Sequence, residues 1–205
     1  MARSLVSILA LGLAFAVGAS CATNDAAVKH VHRTDLQAAD YFPVARGWKW
    51  AYDLERDGQK ILAIYSVVER TPEGATIATG DERLSYAVSP QGLAQLDARG
   101  VGDFVLKNPI AKDAAWPVAG GTARIVSTTE EVTVDAGHFY DCAVVEVTRA
   151  DPPRLARTIF APDVGPVVIE VQVQQDGKYV VATRASLRSA TKPGDDPFAG
   201  APPAP

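Results

Sequence analysis

Few residue types in this 205-residue chain could do chemistry, and their spacing limits what that chemistry could be. There are three histidines, His30, His32 and His138. His30 and His32 alternate, so an extended segment would put both on one face, as a metal site can use them. A zinc-type site needs four ligands, and no third or fourth is in view. The pair reads instead as part of a solvated, weakly basic tether, and no metal is expected. His138 lies between Asp135 and Asp141 near a turn. A general base needs a nucleophile within hydrogen-bond reach, and no serine is singled out. Cys142 is four residues on, which in a strand is the same face but roughly 13 Å away. It sits in Cys-Ala-Val-Val-Glu-Val, without an adjacent cation to favour a thiolate, and reads as a small buried residue. Glu130 and Glu131 are consecutive on a strand and point to opposite faces, so they form no carboxylate pair. There is no Gly-x-Ser-x-Gly elbow and no phosphate-binding glycine loop. Asp195 and Asp196 resemble no calcium loop. The reading is a non-enzymatic protein with no catalytic residue and no cofactor. A hydrolase with an unrecognised site ranks last.

The residues best suited to bind something are aromatic. Trp48, Trp50 and Tyr52 alternate with Lys49, Ala51 and Asp53, a period of two that puts the rings on one face of a strand. On a curved sheet such a face can receive an acyl chain or another apolar ligand. It can equally be core, and the pattern does not say whether protein or ligand covers it.

The elements that position these residues begin with an export signal. Arg3 precedes an apolar run over residues 5–17, about 13 residues, which suits a signal peptide and falls short of the ~20 a membrane-spanning helix needs. Gly18, Ala19, Ser20 and Cys21 follow. The segment resembles the lipobox of bacterial lipoproteins, with Gly18 where that family usually has leucine. The resemblance implies a signal peptide at 1–20, lipidation (palmitate among the acyl groups) at Cys21, and a membrane partner reached through the anchor. Two or more acyl chains anchor stably at ~0.8 kcal/mol per buried methylene. In that family's terms, Ala22 rather than Asp after the cysteine implies sorting to the outer membrane, facing the periplasm. The alternative is a secreted or periplasmic protein cut after Ala19 or Ser20. If Cys21 is lipidated, Cys142 has no partner for a disulfide.

Residues 21–40 read as a tether, with a short helical turn near 35–39. Residues 41–188 read as one β domain and 189–205, rich in Pro, Ala and Gly, as a disordered tail. The composition is 47% hydrophobic and 21% charged with net charge −4, enough for a core without staples. No Lys/Arg cluster is present, so nucleic acid is not an expected partner. Ten or eleven short strands at 8–12-residue spacing, with Asp57-Gly58 and Asp176-Gly177 as hairpin signals, predict an all-β, antiparallel fold. A half-barrel, a barrel and a sandwich all fit. Residues 61–69 are apolar on both faces and predict a central strand. The apolar phase of 122–134 changes near Thr128, which predicts a bulge. Pro109 to Trp116 echoes Pro43 to Trp50 in its proline, alanine, base and tryptophan, with Asp113 in place of Gly47.

Tyr41-Phe42-Pro43-Val44 with Gly47, Trp50 and Tyr52 resembles the Tyr-Phe-Pro-Leu…Gly…Trp…Tyr opening of uncharacterised bacterial secreted lipoproteins. Ala136-Gly-His-Phe-Tyr-Asp-Cys142 and Phe160-Ala-Pro-Asp-Val-Gly165 are similar to those proteins' later Ala-Gly-x-Phe-x-x-Cys and Phe-Ala-Pro-x-Val-Gly stretches. The resemblance implies an envelope location and a β domain but no active site. Three functions follow in order of expectation: a module that binds an envelope protein or supports envelope assembly, a binder of lipid or another hydrophobic ligand, and a hydrolase. A filled core with an exposed sheet edge favours the first, and a deep apolar cavity the second.

Overall fold

A computed structural model describes residues 31–195. The leader, Cys21, His30, Asp196 and the last residues lie outside the described residues. A helix α1 (Ala38–Tyr41) is followed by β1 (Lys49–Arg56), β2 (Gln59–Arg70), β3 (Gly74–Thr79), β4 (Glu82–Ser89), β5 (Gly92–Leu96) and β6 (Gly102–Lys107). Then come β7 (Ala115–Val118), β8 (Gly121–Val134), β9 (Gly137–Ala150), β10 (Pro153–Ala161), β11 (Gly165–Gln175) and β12 (Lys178–Thr191).

Alternating apolar residues and tight turns make each neighbouring pair an antiparallel hairpin. Asp57-Gly58 and Asp176-Gly177 take positive φ at both turn positions, the conformation that follows the right-handed strand twist. The strand order is β6-β5-β4-β3-β2-β1-β12-β11-β10-β9-β8-β7. Every strand but one therefore pairs with its successor, and β12 returns to β1. The result is an all-β, nearly closed barrel among the described residues. Its single seam lies between β6 and β7. There the Trp116 indole donates to Phe104 O at 2.9 Å, and Ala119 N donates to the Asp103 carboxylate at 2.9–3.0 Å.

The seam divides the barrel into two runs of six strands, and the echo between Pro43–Trp50 and Pro109–Trp116 marks the start of each. The two corners share a hydrogen-bond pattern. Trp48 N donates to Ala45 O, Gly47 N to Val67 O and Val67 N to Trp48 O. In the second corner Ala114 N donates to Ala111 O, Asp113 N to Ile125 O and Ile125 N to Ala114 O. Gly47 and Asp113 both carry positive φ, at 95° and 67°. Aspartate tolerates the left-handed region better than most residues, so the exchange keeps the corner.

The segment before β1 closes the lower end, where β1 begins. α1 touches β5 and β11, which stand six places apart in a circle of twelve, so it spans the opening. Ala38 N donates to Asn108 Oδ1 at 2.9 Å, Asp163 N to Asp40 O at 2.7 Å, and Tyr41 Oη to Asp141 O at 2.9 Å. His32 Nδ1 bonds Asp141 Oδ1, Arg33 N donates to Asp141 Oδ2 at 3.1 Å, and Arg33 Nη1 to Asp163 Oδ2 at 2.6 Å. Leu36 and Ala38 are buried. Residues 31–40, expected as tether, are thus a strap packed on the barrel. The local sequence is polar, and the acceptors that hold it, on Asn108, Asp141 and Asp163, lie far along the chain. At the other terminus β12 runs three residues past the expected end of the domain at 188, because Lys49, Trp50 and Ala51 extend the ladder to Thr191, Ala190 and Ser189.

On the outer face one row crosses seven strands: Arg124, Glu146, Arg157, Glu170, Arg184, Glu55 and Lys60, each the register partner of the next. The signs alternate throughout. Opposite charges directly across strands stabilise a pairing and like charges oppose it, so a one-residue slip of any strand loses the match. The phase change near Thr128 is a set of register shifts between Ile125 and Val132. β2 differs from its expected central burial. Only its residues 66–70 pair with β3, because the β3–β4 hairpin is short. Above that point β2 is paired on one side only, and Ile61, Leu62 and Ile64 are half exposed.

Candidate functional site: an apolar barrel cavity

Trp50, Tyr52 and Leu54 point inward from β1, and Tyr65 faces the same way across from Trp50. Small residues on the opposite wall, including Val145, Val147 and Thr158, do not reach them. The barrel therefore keeps a cavity of about 580 Å³, inside the 300–1,000 Å³ range of small-molecule sites. Phe42 forms part of its floor, edge-on to Trp50 and Tyr86 at 5.6 Å between ring centroids. The walls are apolar, with Ile77, Leu84, Val145, Phe160 and Ile169 prominent. The β5–β6 loop, the β7–β8 turn and Arg149 stand at the upper end, beside the seam. Arg99 is committed there to Asp97, with Nε at 3.0 Å and Nη2 at 2.8 Å from Oδ2.

Of the three aromatics singled out in sequence, two line this cavity. Trp50 Nε1 donates to Val164 O at 2.7 Å and Tyr52 Oη to Pro166 O at 2.7 Å. These bonds hold both rings against the β10–β11 corner. Burial drives the Tyr52 phenol far above its ordinary pKa, with Tyr65 and Tyr86 adding to the rise. Trp48 is not part of the lining. It stacks on the Trp50 ring at 5.5 Å and 12° near the lower end, with Lys192 above its face at 6.0 Å. It precedes the first residue of β1, at the lower end. Sequence reasoning missed Tyr65 and Tyr86 as cavity residues. Both were legible as alternating strand residues, but which rings meet across the barrel depends on register.

Residues 41–52 and 136–166 converge on the closed end. Tyr41 reaches Asp141, Phe42 packs beside Phe160 at 6.2 Å, and Trp50 and Tyr52 bond to the Val164 and Pro166 carbonyls. Gly165, at φ +113°, leaves room for the indole: a Cβ there would lie 3.1 Å from Trp50 Nε1. These residues form the floor of the barrel.

The polar residues with chemical potential are placed apart. Cys142 is fully buried with its Sγ toward Tyr140 O at 3.7 Å. Burial pushes its thiol up to about 12, and Asp141 and Glu130 add to the rise. His138 sits by the β8–β9 turn, its Nδ1 2.7 Å from Thr133 Oγ1 and its Nε2 3.7 Å from Glu131. Glu130 turns instead to Arg157 at 3.4 Å. His32 bonds Asp141. Among the described residues no cluster of three or more His, Cys, Asp or Glu could hold a metal ion.

No protein-family model and no curated protein matches the chain. By shape it is similar to a protein described as exported, with a YmcC-like fold, from Bacteroides fragilis. That match has a TM-score of 0.47 and 16% identity, and covers 74% of this chain and 98% of that one. It is also similar to a protein described as a lipoprotein from Parabacteroides distasonis, with a TM-score of 0.43, 18% identity and the same coverages. Neither likeness bears on what the cavity holds.

Proposed function

We propose that the protein is a bacterial envelope lipoprotein whose barrel binds a hydrophobic small ligand, anchored through Cys21 to the outer membrane and facing the periplasm. The cavity of about 580 Å³ carries the binding reading. Val145, Val147 and Thr158 line it on the wall away from Trp50 and Tyr52. An apolar enclosure with few polar groups is the usual form of a small-molecule site. The leader and Cys21 support the location. The test is mass spectrometry of organic extracts from the chain beginning at Ala22, expressed in the periplasm. Lipid in near-stoichiometric amount, lost in a folded Trp50→Phe/Val145→Phe variant, supports the reading; a clean extract together with failure to bind apolar dyes refutes it. For the anchor, an alkynyl palmitate label incorporated in the native protein and absent from Cys21→Ser supports lipidation.

The free upper edge of β2 favours a second reading, docking of an envelope protein by strand addition. Ile61, Leu62 and Ile64 are exposed there beside unpaired backbone groups. A photo-crosslinker at Leu62 that repeatedly yields one envelope partner, and loses it in Ile64→Lys, supports this reading.

A further inference from the structure

Several polar aromatics of this barrel differ in what their polar atoms meet. Tyr41, Tyr52, Trp50 and Trp116 each donate to a backbone carbonyl. Tyr65 and Tyr86 line the cavity, and neither hydroxyl has a protein hydrogen-bond partner among the described residues. Tyr86 is more than nine-tenths buried. Among the described residues the buried side-chain polar atom without a partner is Arg157 Nε, so these two hydroxyls are open to the cavity, where an acceptor on a ligand can take the place of water. Their rings are already fixed: Tyr65 is edge-on to Tyr52 at 5.5 Å and Tyr86 to Phe42 at 5.6 Å. Burial, with Tyr65 adding to it, pushes the Tyr86 phenol up to about 12, so it stays a neutral donor near pH 7. Two arginines line the cavity, Arg99 and Arg149, and both stand at its upper end. The register partners of Tyr86 on the inner wall are Gln95 and then Asp103, Arg99 is held by Asp97, and Arg149 is out at the rim. An ionised group buried here without a counter-charge would pay heavily, whereas a neutral acceptor would not.

We propose that the cavity takes a neutral amphiphile, an acyl ester or ketone, whose carbonyl oxygen accepts from the hydroxyls of Tyr65 and Tyr86 while its chain lies along Ile77, Leu84 and Ile169. This rests on the ligand-binding reading above and adds the class of ligand.

The experiment uses the chain from Ala22, which contains every residue of the barrel, and the neutral dye N-phenyl-1-naphthylamine as the reporter of cavity occupancy. Methyl laurate and laurate are the competitors. Expected is displacement of the dye by methyl laurate, weakened roughly two- to tenfold by Tyr65→Phe or Tyr86→Phe, since each removes one hydrogen bond. The double variant weakens it further. The dye's own affinity is measured for each variant and used to convert displacement into ester affinity. Circular dichroism and thermal midpoints confirm that each variant folds. Unchanged methyl laurate affinity in the double variant, with the dye still bound, overturns the ligand class and leaves the cavity reading standing. Laurate binding tighter than methyl laurate, and losing that advantage in Arg149→Gln, also overturns it in favour of an anionic ligand. A folded wild-type protein that binds neither dye nor ester overturns the cavity reading itself.

Discussion

Gly165→Ala tests whether the floor of the barrel is built as described. Gly165 holds φ at +113° and its missing Cβ would lie 3.1 Å from Trp50 Nε1 and 3.5 Å from the Phe42 ring. Two costs add. An L-residue at positive φ pays about 1–2 kcal/mol. A methyl forced against a packed ring pays about 1–3 kcal/mol, because the core cannot relax freely. The indole cannot retreat without lengthening its 2.7 Å bond to Val164 O. The total is about 2–5 kcal/mol, and at about 2–4 °C per kcal/mol for a domain of this size the midpoint falls by roughly 4–20 °C. Gly177→Ala is the control. It also has positive φ, but nothing lies within 4 Å of its Cβ position, so only the conformational cost applies. Thermal unfolding followed by circular dichroism and by tryptophan emission reads both. If Gly165→Ala falls no further than Gly177→Ala and leaves tryptophan emission unchanged, the proposed contact between glycine and indole is wrong.

Four further outcomes follow from the same geometry. Trp116→Phe removes the bond to Phe104 O and costs about 1 kcal/mol; hydrogen exchange should rise in β6 and β7 and not in β1 or β12. Leu36→Ala, in the strap, should cost about 2 kcal/mol or more as a buried leucine does, and urea unfolding checks this. Glu170→Arg places three arginines in adjacent positions of the charge row and should destabilise more than Glu170→Gln, by an excess that shrinks in high salt. Alkaline pH should weaken the fold. The Cys142 thiol is raised from 9.0 to about 12 and the Tyr41 and Tyr86 phenols from 10.0 to about 12. Between about pH 9 and 12 the unfolded chain therefore loses protons that the folded chain keeps, so stability falls as pH rises through that window. The urea midpoint measured across it gives the test, with the Cys142 thiol resisting alkylation until the protein unfolds.

The chain's alternation, its Asp-Gly turns and its Pro-bounded corners made the antiparallel strands legible, because a period of two and a left-handed turn residue are local properties. The same is true of the repeated corner, where proline, alanine and tryptophan keep their spacing and Asp113 can hold a positive φ in place of glycine. The aromatic face of β1 was equally plain. What covered that face was not. Closure into a circle, the seam at Trp116, the docking of 31–40 on Asp141 and Asp163, the exposed upper half of β2 and the alternating charge row all depend on which strands meet and in what register. The β1–β12 pairing and the docking of 31–40 join residues a hundred or more positions apart, as His32 and Asp141 are, and the seam and the charge row depend on register, which no neighbour along the chain records. Likewise the sequence held Tyr65, Tyr86 and the small residues of β9 and β10 as separate strand positions. Only the barrel set them around one space, where the rings of one wall fall short of the other and two phenols are left facing whatever enters.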